Sequence, residues 1–192
     1  QVGKMDMNQQ IKILEALLKK EENRECADCQ SKTPRWASLN FGCFVCLRCS
    51  GFHRNFGTHI TKIKSVNLDK WPDEFMDVFR NLNNFISNSY WEAKLPANFI
   101  KPAQNATNRE VDMYLKDKYI NKRYIDTKMH LDPVQLFKSD AKKFQKYVKK
   151  LYEKHSEEQE EERHEGESSD DDEERRRKKK EKKEKRKKEK EQ

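Results

Sequence analysis

Forty per cent of the 192 residues are charged, and the formal net charge is +8. No run approaches the ~20 consecutive apolar residues of a membrane-spanning helix and no basic-plus-apolar leader opens the chain, so a soluble, intracellular protein with reduced thiols is expected. The charge is segregated: residues 156–174 hold twelve acidic side chains and one arginine, residues 175–192 hold thirteen basic and four acidic, and residues 1–155 are left with +10. The body is long enough for a single core and basic enough to suit nucleic acid, an anionic membrane or an acidic protein face.

Ile11, Leu14, Leu17 and Leu18 share one face of a helix predicted over Gln9–Lys20, with Asn8 as its N-cap. Next comes the array Cys26-x2-Cys29-x16-Cys46-x2-Cys49. Two such knuckles supply four thiolates to a tetrahedral Zn²⁺ while the segment between them closes on itself. Four thiolates leave no open coordination position, so the metal is expected to be structural; a disulfide or redox pair is the competing use of these cysteines. Between the knuckles a strand over Trp36–Leu39, a turn at Asn40-Phe41-Gly42 and a strand over Cys43–Val45 form a predicted hairpin. Cys43 reads as a small buried hydrophobe. A helix over Leu47–Phe56, ended by Gly57, puts Arg54 near the end of a metal-anchored helix. His53 and His59 are expected to hydrogen-bond rather than ligate.

Ile63–Val66 reads as a third strand. Trp71-Pro72 opens a helix carrying Phe75, Val78, Phe79 and Leu82 at helical spacing. Asn83-Asn84 is expected to end it in the left-handed conformation, followed by a helix over Phe85–Trp91. Thr107-Asn108-Arg109-Glu110 is a capping-box signature before Val111, Tyr114, Leu115 and Lys118-Tyr119. After Asp132-Pro133, a stripe of Val134, Phe137, Ala141, Phe144, Val148 and Leu151 is read as an additional helix packing back on the domain, with a partner-helix seam as the alternative. From Ser156 on, almost no apolar residue remains. Ser168-Ser169 before Asp170-Asp171-Asp172 is similar to an acidophilic kinase site, or is a solvated linker.

The run Cys26-Ala27-Asp28-Cys29, then Pro34-Arg35-Trp36-Ala37-Ser38-Leu39-Asn40-Phe41-Gly42, then Cys46-x2-Cys49-Ser50-Gly51-Phe52-His53-Arg54-Asn55-Phe56-Gly57-Thr58-His59 resembles the Arf GTPase-activating proteins. The likeness continues through Ile63-Lys64-Ser65-Val66 and Leu68-Asp69-Lys70-Trp71 and fades after about Tyr124. Asn83-Asn84 departs from the family's usual Gly-Asn. The resemblance implies an α-rich α+β fold in which a small four-cysteine zinc-finger module and a short three-stranded sheet are surrounded by helices. The likeness marks a zinc-finger domain at 1–125; the apolar stripe adds a helix at 126–155, and the charge blocks make 156–192 a charged, disordered or partly helical tail.

By the same resemblance the protein stimulates GTP hydrolysis on a GTP-bound, membrane-attached Arf-type GTPase and so regulates vesicle coat assembly. Arg54 takes the arginine-finger position, and Trp36, Phe52 and Asp69 fall at GTPase-binding positions. From the residues alone, Arg54 could instead salt-bridge a neighbour, Trp36 could pack the zinc module, and Asp69 reads first as a helix cap, with orienting the loop that carries Arg54 as its other use. Arg35, Arg48, Lys62 and Lys64 add positive potential. The chain lacks a Gly-rich phosphate loop with Lys-Ser/Thr, so GTP and Mg²⁺ are assigned to the partner. Coat proteins and peripheral contact with anionic Golgi or endosomal membranes complete the expectation. Two alternatives stand beside it: a GATA-like nucleic-acid-binding finger, from the similar cysteine spacing, and an adaptor that keeps the fold without a working finger.

Overall fold

The computed structural model describes residues 5–29 and 31–161, in two compact units that divide between Lys146 and Tyr147. The tail from 162 onward, with the serine–aspartate motif, lies outside the described residues. Among the described residues no helix is long and apolar enough to cross a membrane.

The first unit begins with α1 (Met7–Leu18), which starts ahead of its apolar pattern. Asp6, not Asn8, is the cap, because Asp6 and Gln9 form a reciprocal capping box. The helix buries Leu14, Leu17 and also Gln10, whose amide pairs with both the N–H and the carbonyl of Trp71 at 2.9 Å. A single 3-10 turn at Glu21–Asn23 leads into the first knuckle.

Three short strands follow: β1 (Trp36–Ser38), β2 (Cys43–Val45) and β3 (Ile63–Ser65). They form an antiparallel sheet in the order β2-β1-β3, with Trp36 opposite Val45 on one side and Ser65 on the other. The hairpin between β1 and β2 turns at Gly42, which has a φ of 68°. A Cβ there would lie 2.6 Å from Val134 Cγ2 and 2.7 Å from Leu82 Cδ2. Gly42→Ala is therefore expected to cost about 1–3 kcal/mol through left-handed strain and overpacking, read from denaturant unfolding.

Between β2 and β3 lies α2 (Leu47–Asn55), ended by Gly57 at a φ of 91°. Then come α3 (Asp73–Asn81) and α4 (Asn84–Trp91). Phe44 of β2 packs edge-on to Phe79, which meets Trp71 in the same way. The junction of α3 and α4 differs from the expected left-handed stop. Asn83 is extended, with φ −146°, and its side chain caps α4 at Ile86 N–H. Asn84 is buried and pairs with the N–H and carbonyl of Phe44, extending the edge of β2. Both asparagines thus act through their side chains.

The Thr107–Glu110 capping box starts α5 (Asn108–Leu115), which runs into a single π-turn at Lys116–Ile120. Last in this unit, α6 (Pro133–Ser139) contacts α3 and α4 and buries Val134 and Leu136. The stripe after Pro133 is not one helix: Asp140 leaves the helical conformation and caps a new helical stretch through Lys143 N–H. Phe137 and Phe144 meet edge-on across this break. In the second unit, residues 147–161 are helical, with Lys149–Glu153 and Lys154–Glu158 paired one turn apart.

Candidate functional site

Cys26 and Cys29 lie on the loop before β1, while Cys46 caps α2 and Cys49 sits in its first turn. Their four sulfurs all fall within 4.8 Å of one another, and those of Cys29 and Cys46 are 3.7 Å apart. A tetrahedron of sulfurs about 2.3 Å from a metal has edges of about 3.75 Å, so the cluster fits one ion. Backbone N–H groups support the thiols: Cys46 N–H donates to Cys26 Sγ at 3.2 Å and Cys49 N–H to Cys46 Sγ at 3.4 Å. Cys43 stands apart. It is fully buried, and burial pushes its thiol up to about 12, so it is an inert packing group.

Anchored at its start by this cluster, α2 presents two faces. Cys49, Ser50 and His53 point inward, Phe52 is half-buried against the core, and Arg54 is exposed. The Arg54 guanidinium lies over the Trp36 ring, 4.5 Å from its centroid. Among the described residues no carboxylate pairs with Arg54, so the salt-bridge alternative finds no partner. Trp36 is itself half-buried against the core, so it both packs the module and carries the arginine. The structure thus brings together the knuckles, Trp36, Phe52 and Arg54.

Asp69 does not cap α3, whose N-cap is Pro72 without a side-chain bond. Its carboxylate instead accepts from Ser65 N–H at 2.6 Å, closing the turn after β3 and holding the residue opposite Trp36. Arg48 is not a free surface cation either. It donates to the carbonyls of Gln104 and Ala106 and to Asn108, clamping the segment before α5 onto α2. Arg35 pairs with Glu15.

One group beneath the site went unread in the sequence. Asp28, between the first two cysteines, is fully buried and accepts from His53 Nε2 at 2.7 Å, Tyr119 Oη at 2.7 Å and Lys118 Nζ at 2.9 Å. Lys118 is also fully buried and reaches Asn88 Oδ1, Glu92 Oε1 and the Ala27 carbonyl. Burial opposes the charge on Asp28, but Lys118 and His53 beside it hold its carboxyl well below the ordinary range. Burial likewise opposes the charge on Lys118, and Asp28 and Glu92 more than offset that. The signal was present: Lys118 continues the apolar face of Val111, Tyr114 and Leu115 at i+7, and a lysine on such a face calls for a buried acid.

Residues 11–128 match the ArfGap family model, described as "Putative GTPase activating protein for Arf". The chain belongs to the ArfGap family. Mouse "Stromal membrane-associated protein 1" is 46% identical over 114 residues, which is 59% of this chain and 25% of that protein. "Probable ADP-ribosylation factor GTPase-activating protein AGD15" of Arabidopsis thaliana is 45% identical over 114 residues, 59% of this chain and 46% of that protein. The chain therefore spans about a quarter to a half of these relatives. In fold it is similar to the "ArfGap domain of human RIP", with a TM-score of 0.57 at 22% identity, covering 68% of this chain and 96% of that one. The "ArfGap domain of HIV-1 Rev binding protein" gives 0.55 at 22% identity, over 62% and 90%.

Helices around a small antiparallel sheet and a four-cysteine cluster are the architecture this ArfGap domain shares with those structures. Membership in the family accounts for the cysteine spacing that also suggested a GATA-like finger. Within the domain, the Asp28–Lys118 pair ties the first knuckle to the π-turn, ninety residues away in sequence. Lys118→Met is expected to destabilise the ArfGap domain by about 3–5 kcal/mol, since it leaves the fully buried Asp28 without its lysine, while Glu92 keeps Lys101. Denaturant unfolding of the metal-loaded protein reads this directly.

Proposed function

We propose that this chain accelerates GTP hydrolysis on an Arf-type small GTPase in its GTP-bound state, with Arg54 delivered in trans to the γ-phosphate. The observation that carries the proposal is the exposed Arg54 guanidinium, held over Trp36 without a carboxylate partner among the described residues, on a helix whose start bears two of the four thiols. Hydrolysis passes through a state with negative charge spread over the phosphate oxygens. A planar guanidinium offers several donors to that charge and excludes water around it. The family and the names of the relatives support the same reading.

In this reading Trp36 and Phe52 face the GTPase, and Asp69 steadies the strand beside Trp36. The four thiolates hold Zn²⁺ in a closed tetrahedron, a structural role that orients α2. GTP and Mg²⁺ arrive with the partner. Because the substrate is membrane-attached, the chain works peripherally at the cytoplasmic face of Golgi or endosomal membranes, ending coat assembly near coat proteins. Its basic body is suited to an anionic surface.

The test is GTP hydrolysis on preloaded Arf-type GTPases with the chain in catalytic amounts. Acceleration of at least one of them is expected. Binding without acceleration favours the adaptor reading, and neither binding nor acceleration overturns the proposal.

A further inference from the structure

Arg54 works only if the last turn of α2 is held still, and the metal anchors only the first turn. What fixes the other end is His53, the chain neighbour of Arg54. Its imidazole is fully buried, boxed by the rings of Phe41, Phe56 and Tyr119 at centroid distances of 5.7, 5.5 and 5.0 Å. Only Nε2 has a polar partner, the Asp28 carboxylate, while Nδ1 has none among the described residues. The carbonyls of His53 and Arg54 then receive the N–H groups of Phe56 and Gly57, which close the helix.

Asp28 is in turn fixed by two groups from a single π-turn. Asn121 N–H bonds to the Lys116 carbonyl across five residues, and within this turn the adjacent Lys118 and Tyr119 both point inward to Asp28. The two consecutive side chains end on the same oxygen, Asp28 Oδ1. The far end of the domain thereby reaches the helix bearing Arg54 through an unbroken line of short bonds: Lys118 and Tyr119 to Asp28, and Asp28 to His53.

We propose that Asp28, Lys118 and Tyr119 are positioning residues for Arg54, acting through His53. The proposal rests on the finger reading given above and deepens it. A misplacement of about 1 Å at a catalytic group costs on the order of 10²-fold in rate, so loosening His53 lowers turnover without removing any group that meets the GTPase.

The variant His53→Phe keeps an aromatic ring in the box while removing the bond to Asp28, and because it adds volume at a fully buried position its stability is measured alongside its activity. His53→Gln restores an N–H that can reach Asp28, and Tyr119→Phe removes a single hydroxyl. Metal content and melting temperature are checked for each. In stimulated GTP hydrolysis, His53→Phe is expected to lower kcat about 10- to 100-fold with KM changed less than about 3-fold. His53→Gln should recover most of the loss, and Tyr119→Phe should show a smaller drop of the same kind.

A second readout needs no GTPase. By NMR, the Arg54 Nε–H should carry an upfield ring-current shift from Trp36 that collapses in His53→Phe and returns in His53→Gln. Unchanged kcat, a loss carried by KM alone, or an Arg54 signal indifferent to position 53 overturns the positioning claim. If the unmodified chain stimulates no Arf-type GTPase, the finger reading falls, and the NMR arm alone decides whether the network positions Arg54.

Discussion

Removing the metal is expected to unfold the domain, not merely to inactivate it. The four cysteines join the loop before β1 to the start of α2, and three of them are buried in the core cluster with Val45, Trp91 and Tyr119. Structural zinc in small finger peptides contributes on the order of 10–16 kcal/mol, comparable to or larger than the roughly 5–15 kcal/mol that holds an ordinary domain together. Without the ion, four sulfurs within 4.8 Å would also repel as thiolates or take up protons in a buried site. Under reducing conditions, chelation should abolish the cooperative thermal transition seen by circular dichroism, and added Zn²⁺ should restore it. A transition that persists with metal shown to be absent would mean that the thiols only pack.

Replacing Arg54 by lysine is expected to remove most of the stimulation, about 10³- to 10⁵-fold or roughly 4–7 kcal/mol of barrier. Lysine keeps the charge but is a point donor on a flexible stem, lacking the planar fork that can span two phosphate oxygens and that sits over the Trp36 ring. Stability should hardly move, because the side chain is exposed and forms no ion pair among the described residues. The measurement is hydrolysis on preloaded GTPase beside metal content and melting temperature, so that lost rate is not confused with lost fold.

Much of this was legible in the chain because local chemistry carried it. Cysteine spacing foretold the cluster, Gly42 the hairpin, and Thr107 with Glu110 the start of α5. Three of the differences come from polar side chains whose partners are distant in sequence, and the others from local side-chain bonds to backbone that the apolar pattern does not show. Asn84 pairs with Phe44, forty residues earlier, and Lys118 with Asp28, ninety residues earlier. Arg48 looks like surface charge in the sequence, but its partners include backbone carbonyls near residue 105, which no side-chain pattern advertises. Asp69 stands just before the helix that follows Trp71 and so suggests a cap, but Ser65 N–H claims its carboxylate. The break at Asp140 escaped because the apolar stripe continues across it in phase, while a capping aspartate resets the helix.

The most direct test of the finger assignment is single-turnover hydrolysis of GTP on a preloaded Arf-type GTPase, run side by side with this chain and its Arg54→Lys variant. Both proteins should be metal-loaded and both titrated for binding. Acceleration by the chain is expected, with most of it lost in the variant while binding stays within a few-fold. Equal acceleration by the two proteins would contradict the assignment and return Arg54 to a structural role.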